Sequence, residues 1–145
     1  MSPDLHATAA ARLRDDGQRY TTNRRALVEA LDEAEHPLTI PELLARRSGI
    51  PQSSAYRNLA VLERAGVVDR LVTTDEFARF ELAEDLTEHH HHLICSSCGA
   101  VADVPADPRI EELIEQAVTR AAAATGFQVE AHRVDLVGRC ATCVA

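Results

Sequence analysis

Two Cys-x-x-C pairs, "CSSCG" from Cys95 and "CATC" from Cys140, constrain this 145-residue chain more than any other feature. Two thiolates two residues apart hold one ion from a tight turn, and two such turns complete the tetrahedron that structural zinc prefers. A four-cysteine zinc site over Cys95, Cys98, Cys140 and Cys143 is therefore expected. The stretch between the pairs is longer than in a zinc ribbon, so the ion should staple two distant parts of one small domain. Four unrelated buried thiols, or a redox Cys-x-x-C, are the competing readings. Disulfides are disfavoured in a reducing cytoplasm.

The cytoplasm is itself an expectation. The start "MSPDLHATAA" lacks the basic-then-apolar pattern of a secretion signal. No apolar run approaches the roughly 20 residues needed to span a bilayer, so no membrane partner is expected. An apolar content of 46% is that of a globular chain, long enough for one ordinary domain or two small ones. The formal charge of −8 is uneven: residues 1–80 carry 11 Arg against 12 acids, residues 81–145 carry 4 against 11. The acidic character belongs to the second half.

The first half reads as helices followed by a hairpin. "TTNRRALVEALDEAE" places Leu27, Val28, Leu31 and Ala34 on one stripe, with Thr22 as N-cap. In "LTIPELLARRSG", Thr39 and Glu42 form a capping box, Pro41 lies in the first turn and Gly49 ends the segment. Ser53 can cap a third helix, in which Ala55, Leu59, Leu62 and Gly66 share a sector while Arg57, Ala60 and Arg64 face outward. A short capped helix, a tight turn and a helix with an Arg-bearing face match a helix-turn-helix. Two β-prone runs around Thr74, Asp75 and Glu76 then add a wing.

The polar segment "AEDLTE" (83–88) is placed as a hinge, giving a winged-helix domain over 1–82 and a metal-binding dimerisation domain over 89–145. The second half reads as a strand at 93–95, the Cys-x-x-C turn, a strand at 100–104, a helix at 108–124 and a strand at 128–137. Ile110, Leu113, Ile114, Ala117, Val118 and Ala121 form that helix's apolar stripe, and Gly126 suits its end. About 60 residues make a marginal core, so a structural metal and a partner subunit would both help it. The fold class is α+β: an N-terminal winged helix-turn-helix domain and a small C-terminal α/β dimerisation domain with a four-cysteine zinc site.

Four histidines, His89 to His92, run into "LICSSC". Beside a strand, alternate members should point to opposite sides, so one stretch can serve two sites. A solvated polyhistidine tract or a tag is the bland alternative, but a tag sits at a terminus. Spacing alone does not recruit the isolated His36 and His132.

Taken together, "SSAYRNLAVLERAGVV", "RFEL", "HHHHLICSSCG" and "CATC" resemble the ferric uptake regulator family of metal-dependent repressors, over nearly the whole chain. The resemblance implies a homodimer binding double-stranded operator DNA. Tyr56 and Arg57 would lie in the DNA-facing helix, and Arg19 would contact the backbone or minor groove. Tyr56 sits at the flank of that helix, where its ring could meet a thymine methyl or pack on the wing. The implied sensory site near the hinge is His36, Glu81, His90, His92 and Asp103, with "HPLT" one residue longer than the family's usual spacing. A second site would be His89, His91, His132 and Glu111, or its neighbour Glu112.

The implied mechanism is allosteric: a divalent ion bridging the domains fixes the angle between two winged helices. A nitrogen-rich set with two carboxylates and no sulfur suits iron(II), manganese or zinc. Zinc sensors of the family often add a cysteine to this site, and all four are already assigned, which favours iron(II). His91, standing where iron sensors often carry Asp, resembles the zinc-uptake regulators, and peroxide sensing is a third reading. The rival classes are a zinc-dependent hydrolase or deaminase and a zinc-ribbon interaction module. Neither H-x-E with P-C-x-x-C nor an H-E-x-x-H helix is present, so no small-molecule substrate is expected.

Overall fold

Leu5, Ala9 and Leu13 recur every fourth position and are buried along one side of α1 (Pro3–Asp15). This helix has no counterpart among the segments expected above. It belongs to a computed structural model that describes residues 3–73 and 75–145. Helix α2 (Thr22–Glu33) buries Leu27, Val28 and Leu31 as its periodicity requires, and Ala34 packs just beyond its end. Its cap is Thr21 rather than Thr22: the Thr21 hydroxyl accepts from the Arg24 amide at 3.3 Å.

Strand β1 (Leu38–Thr39) leads into α3 (Ile40–Arg46) through the expected capping box. The Thr39 hydroxyl accepts from the Glu42 amide at 3.3 Å and donates to the Glu42 carboxylate at 2.9 Å. Helix α4 (Gln52–Arg64) starts ahead of Ser53, because Pro51 presets φ at −62° and serves as the cap with no side-chain bond. Ala55, Leu59 and Leu62 are fully buried, while Arg57, Ala60 and Arg64 face outward. Gly66 lies past the helix end at φ +80°, where it turns the chain rather than continuing the stripe.

Strands β2 (Val68–Val72) and β3 (Ala78–Leu82) form the hairpin, and β3 is central in the antiparallel order β1-β3-β2. Thr74 lies outside the described residues. The sheet packs on α2 and α4 over a core that α1 completes. This is a winged helix-turn-helix.

A 3-10 turn at Glu84–Leu86 joins it to a second sheet. There β4 (His90–Cys95) is central, antiparallel to β5 (Val101–Pro105) and parallel to β6 (Asp135–Gly138). β4 starts three residues before the expected 93, so most of the histidine run belongs to the strand. β6 is shorter than the expected 128–137, because the chain leaves the sheet ahead of Asp135 to bring His132 against the intervening α5 (Pro108–Thr125). Asp107 caps α5, accepting from the Arg109 amide at 2.8 Å, and Gly126 at φ +70° stops it. A short α6 (Ala141–Val144) ends the chain.

The second half has almost no core of its own. Its buried residues are His91, His92, Cys95, Gly99 and Val101. No residue of α5 is buried, and Leu113 is 64% exposed, so the apolar stripe has no cover within the single chain. Among the described residues, no helix is long and apolar enough to cross a membrane.

Candidate metal centres and the recognition helix

The four cysteine sulfurs lie within 4.8 Å of one another, and none of the four is in a disulfide. Cys95 ends β4, and the turn to Cys98 closes with the Gly99 amide donating to the Cys95 carbonyl at 2.9 Å. Gly99, at φ +76°, lies against the Asp75 side chain so closely that a Cβ would overlap it. Thr73 donates to the Gly99 carbonyl at 3.2 Å, and the buried Arg79 fixes Asp75 through two bonds of 2.9 and 2.7 Å, so the wing tip rests on the cysteine turn.

Cys140 caps α6 and sends its amide to the Cys95 sulfur at 3.3 Å. That bond, with a second from the Cys98 amide, draws the Cys95 thiol down to about 6. Hydrogen bonds with Cys140, Cys95 and Cys98 push the Cys143 thiol up to about 12. The Cys98 and Cys140 sulfurs are 3.8 Å apart. A tetrahedron with metal–sulfur bonds of about 2.3 Å has edges of about 3.8 Å, so the cluster fits a zinc ion.

The histidines alternate as strand geometry requires. His90 and His92 meet Glu81 of β3 and Asp103 of β5, with ligand-type atoms of all four within 4.8 Å. One Glu81 oxygen faces both Nε2 atoms, each at 3.1 Å, and Asp103 Oδ1 stands 3.9 and 3.7 Å from the same two nitrogens. Asp103 Oδ1 is buried with no hydrogen-bond partner. A buried carboxylate oxygen left unpaired among two imidazoles and a second carboxylate is what a bound cation would satisfy. Burial and the Glu81 charge raise Asp103 above the ordinary carboxylate range. Glu81 moves down: burial opposes it, but the bonds to His92 and His90 prevail. His92 is raised by its bond to Glu81, and His90 is raised against burial by the Glu88 carbonyl and Glu81. His36 does not join the four. It lines the same cleft, with Nδ1 2.9 Å from the Pro37 carbonyl.

On the other face of β4, His89 and His91 meet Glu111 and His132, also within 4.8 Å. Glu111 Oε2 is 2.9 Å from His132 Nε2 and 3.1 Å from His89 Nε2, while Oε1 contacts His91 Nε2. The neighbouring Glu112 is exposed and outside the cluster.

With three clusters and a winged helix defined, comparison with known proteins decides what kind of molecule this is. Residues 15–137 match the ferric uptake regulator family. The chain belongs to that family. The peroxide operon regulator of Bacillus subtilis (strain 168) is 33% identical over 137 residues, covering 90% of this chain and 88% of the relative. The solved Helicobacter pylori ferric uptake regulator Fur, described as having three functional metal binding sites, superposes with a TM-score of 0.72 at 26% identity, covering 97% of this chain and 94% of that one. The ferric uptake regulator from Pseudomonas aeruginosa, solved with manganese, gives 0.67 at 26% identity, covering 90% and 96%. The chain is thus a metal-responsive transcriptional regulator of this family, and the hydrolase and deaminase readings fall.

Helix α4 is the second helix of the helix-turn-helix, following α3 across a short turn. Arg57 is exposed on that helix, and Arg19 is exposed ahead of α2, its carbonyl held by Arg24 Nη1 at 2.8 Å. Arg24 also donates to Asn58 of α4 at 3.0 Å, a link between the two segments that no spacing announced. Tyr56 is 56% exposed and shares a cleft with Phe77 and Phe80 of the wing, so wing packing and an open ring edge coexist.

The raised histidines give this regulator a pH signature. The protonated forms of His90 and His92 are favoured by Glu81 in the fold, so that contribution is complete below the unfolded value of about 6.5 and is lost as pH rises through the higher folded values. A divalent ion competes with those protons. Manganese affinity at this set is expected to start falling, on acidification, above pH 6.5, and in Glu81→Gln to start nearer 6.5. Titrations across pH, each scaled to its own plateau, check this; identical profiles would contradict it.

Proposed function

We propose that this regulator binds operator DNA as a homodimer when a divalent ion, iron(II) by preference, occupies the set Glu81, His90, His92 and Asp103. In this reading residues 1–82 bind DNA, 83–88 form the hinge and 89–145 bind metal and dimerise, with the protein acting in the cytoplasm. A second copy covers the bare stripe of α5. The cysteine site holds structural zinc. His36 supplies a fifth donor when the cleft closes, and His89, His91, Glu111 and His132 form the second metal site.

One observation supports this reading above the others: Glu81 belongs to the wing's β3 yet faces both Nε2 atoms of β4. The ion supplies a bridge of fixed geometry between the halves. Glu81 then ties the rotation of the winged helix to the second sheet, and Arg57 and Arg19 are presented at the spacing that two half-sites require. The donor set, two nitrogens and two oxygens with no sulfur, suits iron(II), while manganese and zinc remain competent. Duplexes selected from a random pool by the metal-loaded protein, then tested in a shift assay with iron(II), manganese or zinc, examine this reading. Binding that ignores all three ions would refute it.

Kinship with the peroxide operon regulator supports a second reading, in which peroxide releases the iron-loaded protein from DNA.

The two DNA-facing arginines should fail differently. Arg57→Ala is expected to cost about 1–3 kcal/mol at the operator and relax base preference there. Arg19→Ala is expected to weaken all sequences alike and to reduce the salt slope by about one ion. Equal specificity ratios and salt slopes in the two variants would remove the distinction.

A further inference from the structure

We infer that Glu84 is a positioning residue for His89 and that the next residue, Asp85, links the second ligand set through Arg12 to the end of the recognition helix. The inference rests on the metal-responsive reading above. His89 presents Nε2 to Glu111 and His132, at 3.1 Å from each, while its Nδ1 faces the Glu84 carboxylate on the opposite side of the ring. An imidazole that donates Nδ1–H to a carboxylate keeps the lone pair of Nε2 turned towards the ligand set. Ligating histidines are commonly held in this way, and the partner sharpens both tautomer and orientation. Glu84 is not itself in the cluster.

The origin of Glu84 sets it apart from the other groups behind these rings. His90 Nδ1 faces the Glu88 carbonyl at 2.9 Å, and His92 Nδ1 faces Asp135 of β6 at 3.5 Å. Glu84 instead starts a 3-10 turn docked on the winged helix. The preceding Ala83 amide donates to the Val67 carbonyl at 2.9 Å, and Leu86 packs on the first core. The turn is closed by the Thr87 amide and hydroxyl, both directed at the Glu84 carbonyl, at 3.2 and 3.3 Å.

Asp85 points the other way. Its carboxylate takes both terminal nitrogens of Arg12, Nη1 at 3.2 Å. Arg12 Nη1 also donates to the carbonyl of Gly66, just past α4, at 2.7 Å. Fixing His89 therefore fixes Glu84, and the short turn passes that constraint to Arg12 and the C-terminal end of α4. The role also accounts for α1, whose Arg12 crosses to both partners. Side-chain exposures of 42% for Glu84 and 63% for Asp85 mean that each contact is individually weak, so the link needs the turn's rigidity.

Manganese(II) is the probe, in a Glu81→Ala/His92→Ala background that strips two of the four donors from the cleft set and leaves the second set to respond. Electron paramagnetic resonance of free manganese should show Glu84→Ala weakening binding about 10-fold, the low end for loss of such a partner at an exposed position. Glu84→Gln should fall between, since its amide oxygen still accepts from Nδ1–H. Manganese should also slow amide exchange at 84–89 and at 62–67. Asp85→Ala should abolish the slowing at 62–67 alone, with affinity altered by at most about 3-fold, as reciprocal coupling through exposed groups allows. Equal manganese affinity in all Glu84 variants overturns the positioning role. Slowing at 62–67 that survives Asp85→Ala overturns the link. A Glu81→Ala/His92→Ala protein that takes up no manganese overturns the inference at its root, while metal-stimulated DNA binding by the unaltered protein, measured separately, decides the reading beneath it.

Discussion

A Cys95→Ser protein is expected to emerge without zinc, with residues 89–145 largely unfolded and the protein no longer dimeric. The reason lies in what the second half lacks. Of its five buried residues, His91, His92 and Cys95 are themselves candidate ligands, leaving Val101 as the only aliphatic side chain among them. Its sheet offers Leu136 and Val137 to solvent at 57% and 65% exposure, and α5 buries nothing. With no apolar core to fall back on, such a unit depends on the ion and on a second copy, and small structural zinc sites commonly supply the folding free energy outright.

Cys95 is the most sensitive of the four. It is 4% exposed, ends the central strand and receives amides from both Cys98 and Cys140, so it joins the two turns even before an ion is considered. Serine would present a shorter, harder donor that zinc in a sulfur site disfavours. Zinc content by mass spectrometry, circular dichroism and sedimentation give the answer. A zinc-free Cys95→Ser protein that keeps the second sheet and the dimer would show that the cysteines are not structural. The first half should survive, since its core of α1, α2, α4 and the wing contains no cysteine.

How far the sequence carried these conclusions differed between the two halves. In the first, periodicity and caps set the structure: Thr39, Glu42 and Pro41 did what their spacing required. Boundaries moved where two residues competed for one role, as when Thr21 rather than Thr22 capped α2 and Pro51 displaced Ser53. Helix α1 carries signals of the same kind, Leu5, Ala9 and Leu13 at every fourth position and Gly17 at φ +72° just past its end, yet it stands outside the expected segments. In the second half the cysteine spacing marked its own cluster, whereas Glu81, Asp103 and Glu111 joined histidines through strand register and a helix crossing that no local pattern encodes. Family resemblance supplied those groupings. Glu84 and Asp135 escaped both routes, since a carboxylate behind a ligand has neither periodicity nor a motif.

At the cleft between the halves, Glu81→Ala and His90→Ala are each expected to keep the zinc and the dimer while losing metal-stimulated DNA binding. Both residues sit away from the cysteines and from the bare face of α5, so neither supports the fold through them. Glu81 stands opposite Asp69 on the wing's hairpin and meets β4 through its carboxylate alone, so its removal leaves two intact halves and takes from the four-residue cluster its one member from the wing. Metal shifts a conformational population only by its differential affinity for the two states. A coupling of about 1–3 kcal/mol, or roughly 5- to 150-fold in DNA affinity, is typical, and a ligand shared between the halves is where that difference arises. Without Glu81, His90, His92 and Asp103 can still hold an ion, but the only winged-helix donor left is His36, which stands outside the cluster, so most of the dependence on angle is lost. The expected result is therefore residual metal binding with the 5- to 150-fold stimulation reduced to about none. His89→Ala should retain most of it, because that ring serves the opposite face of β4. Operator titrations at fixed free iron(II), repeated with manganese and zinc, compare the three variants. Full stimulation in Glu81→Ala would place the sensor elsewhere in the chain, and loss in His89→Ala as deep as in His90→Ala would make the two faces of β4 a single switch.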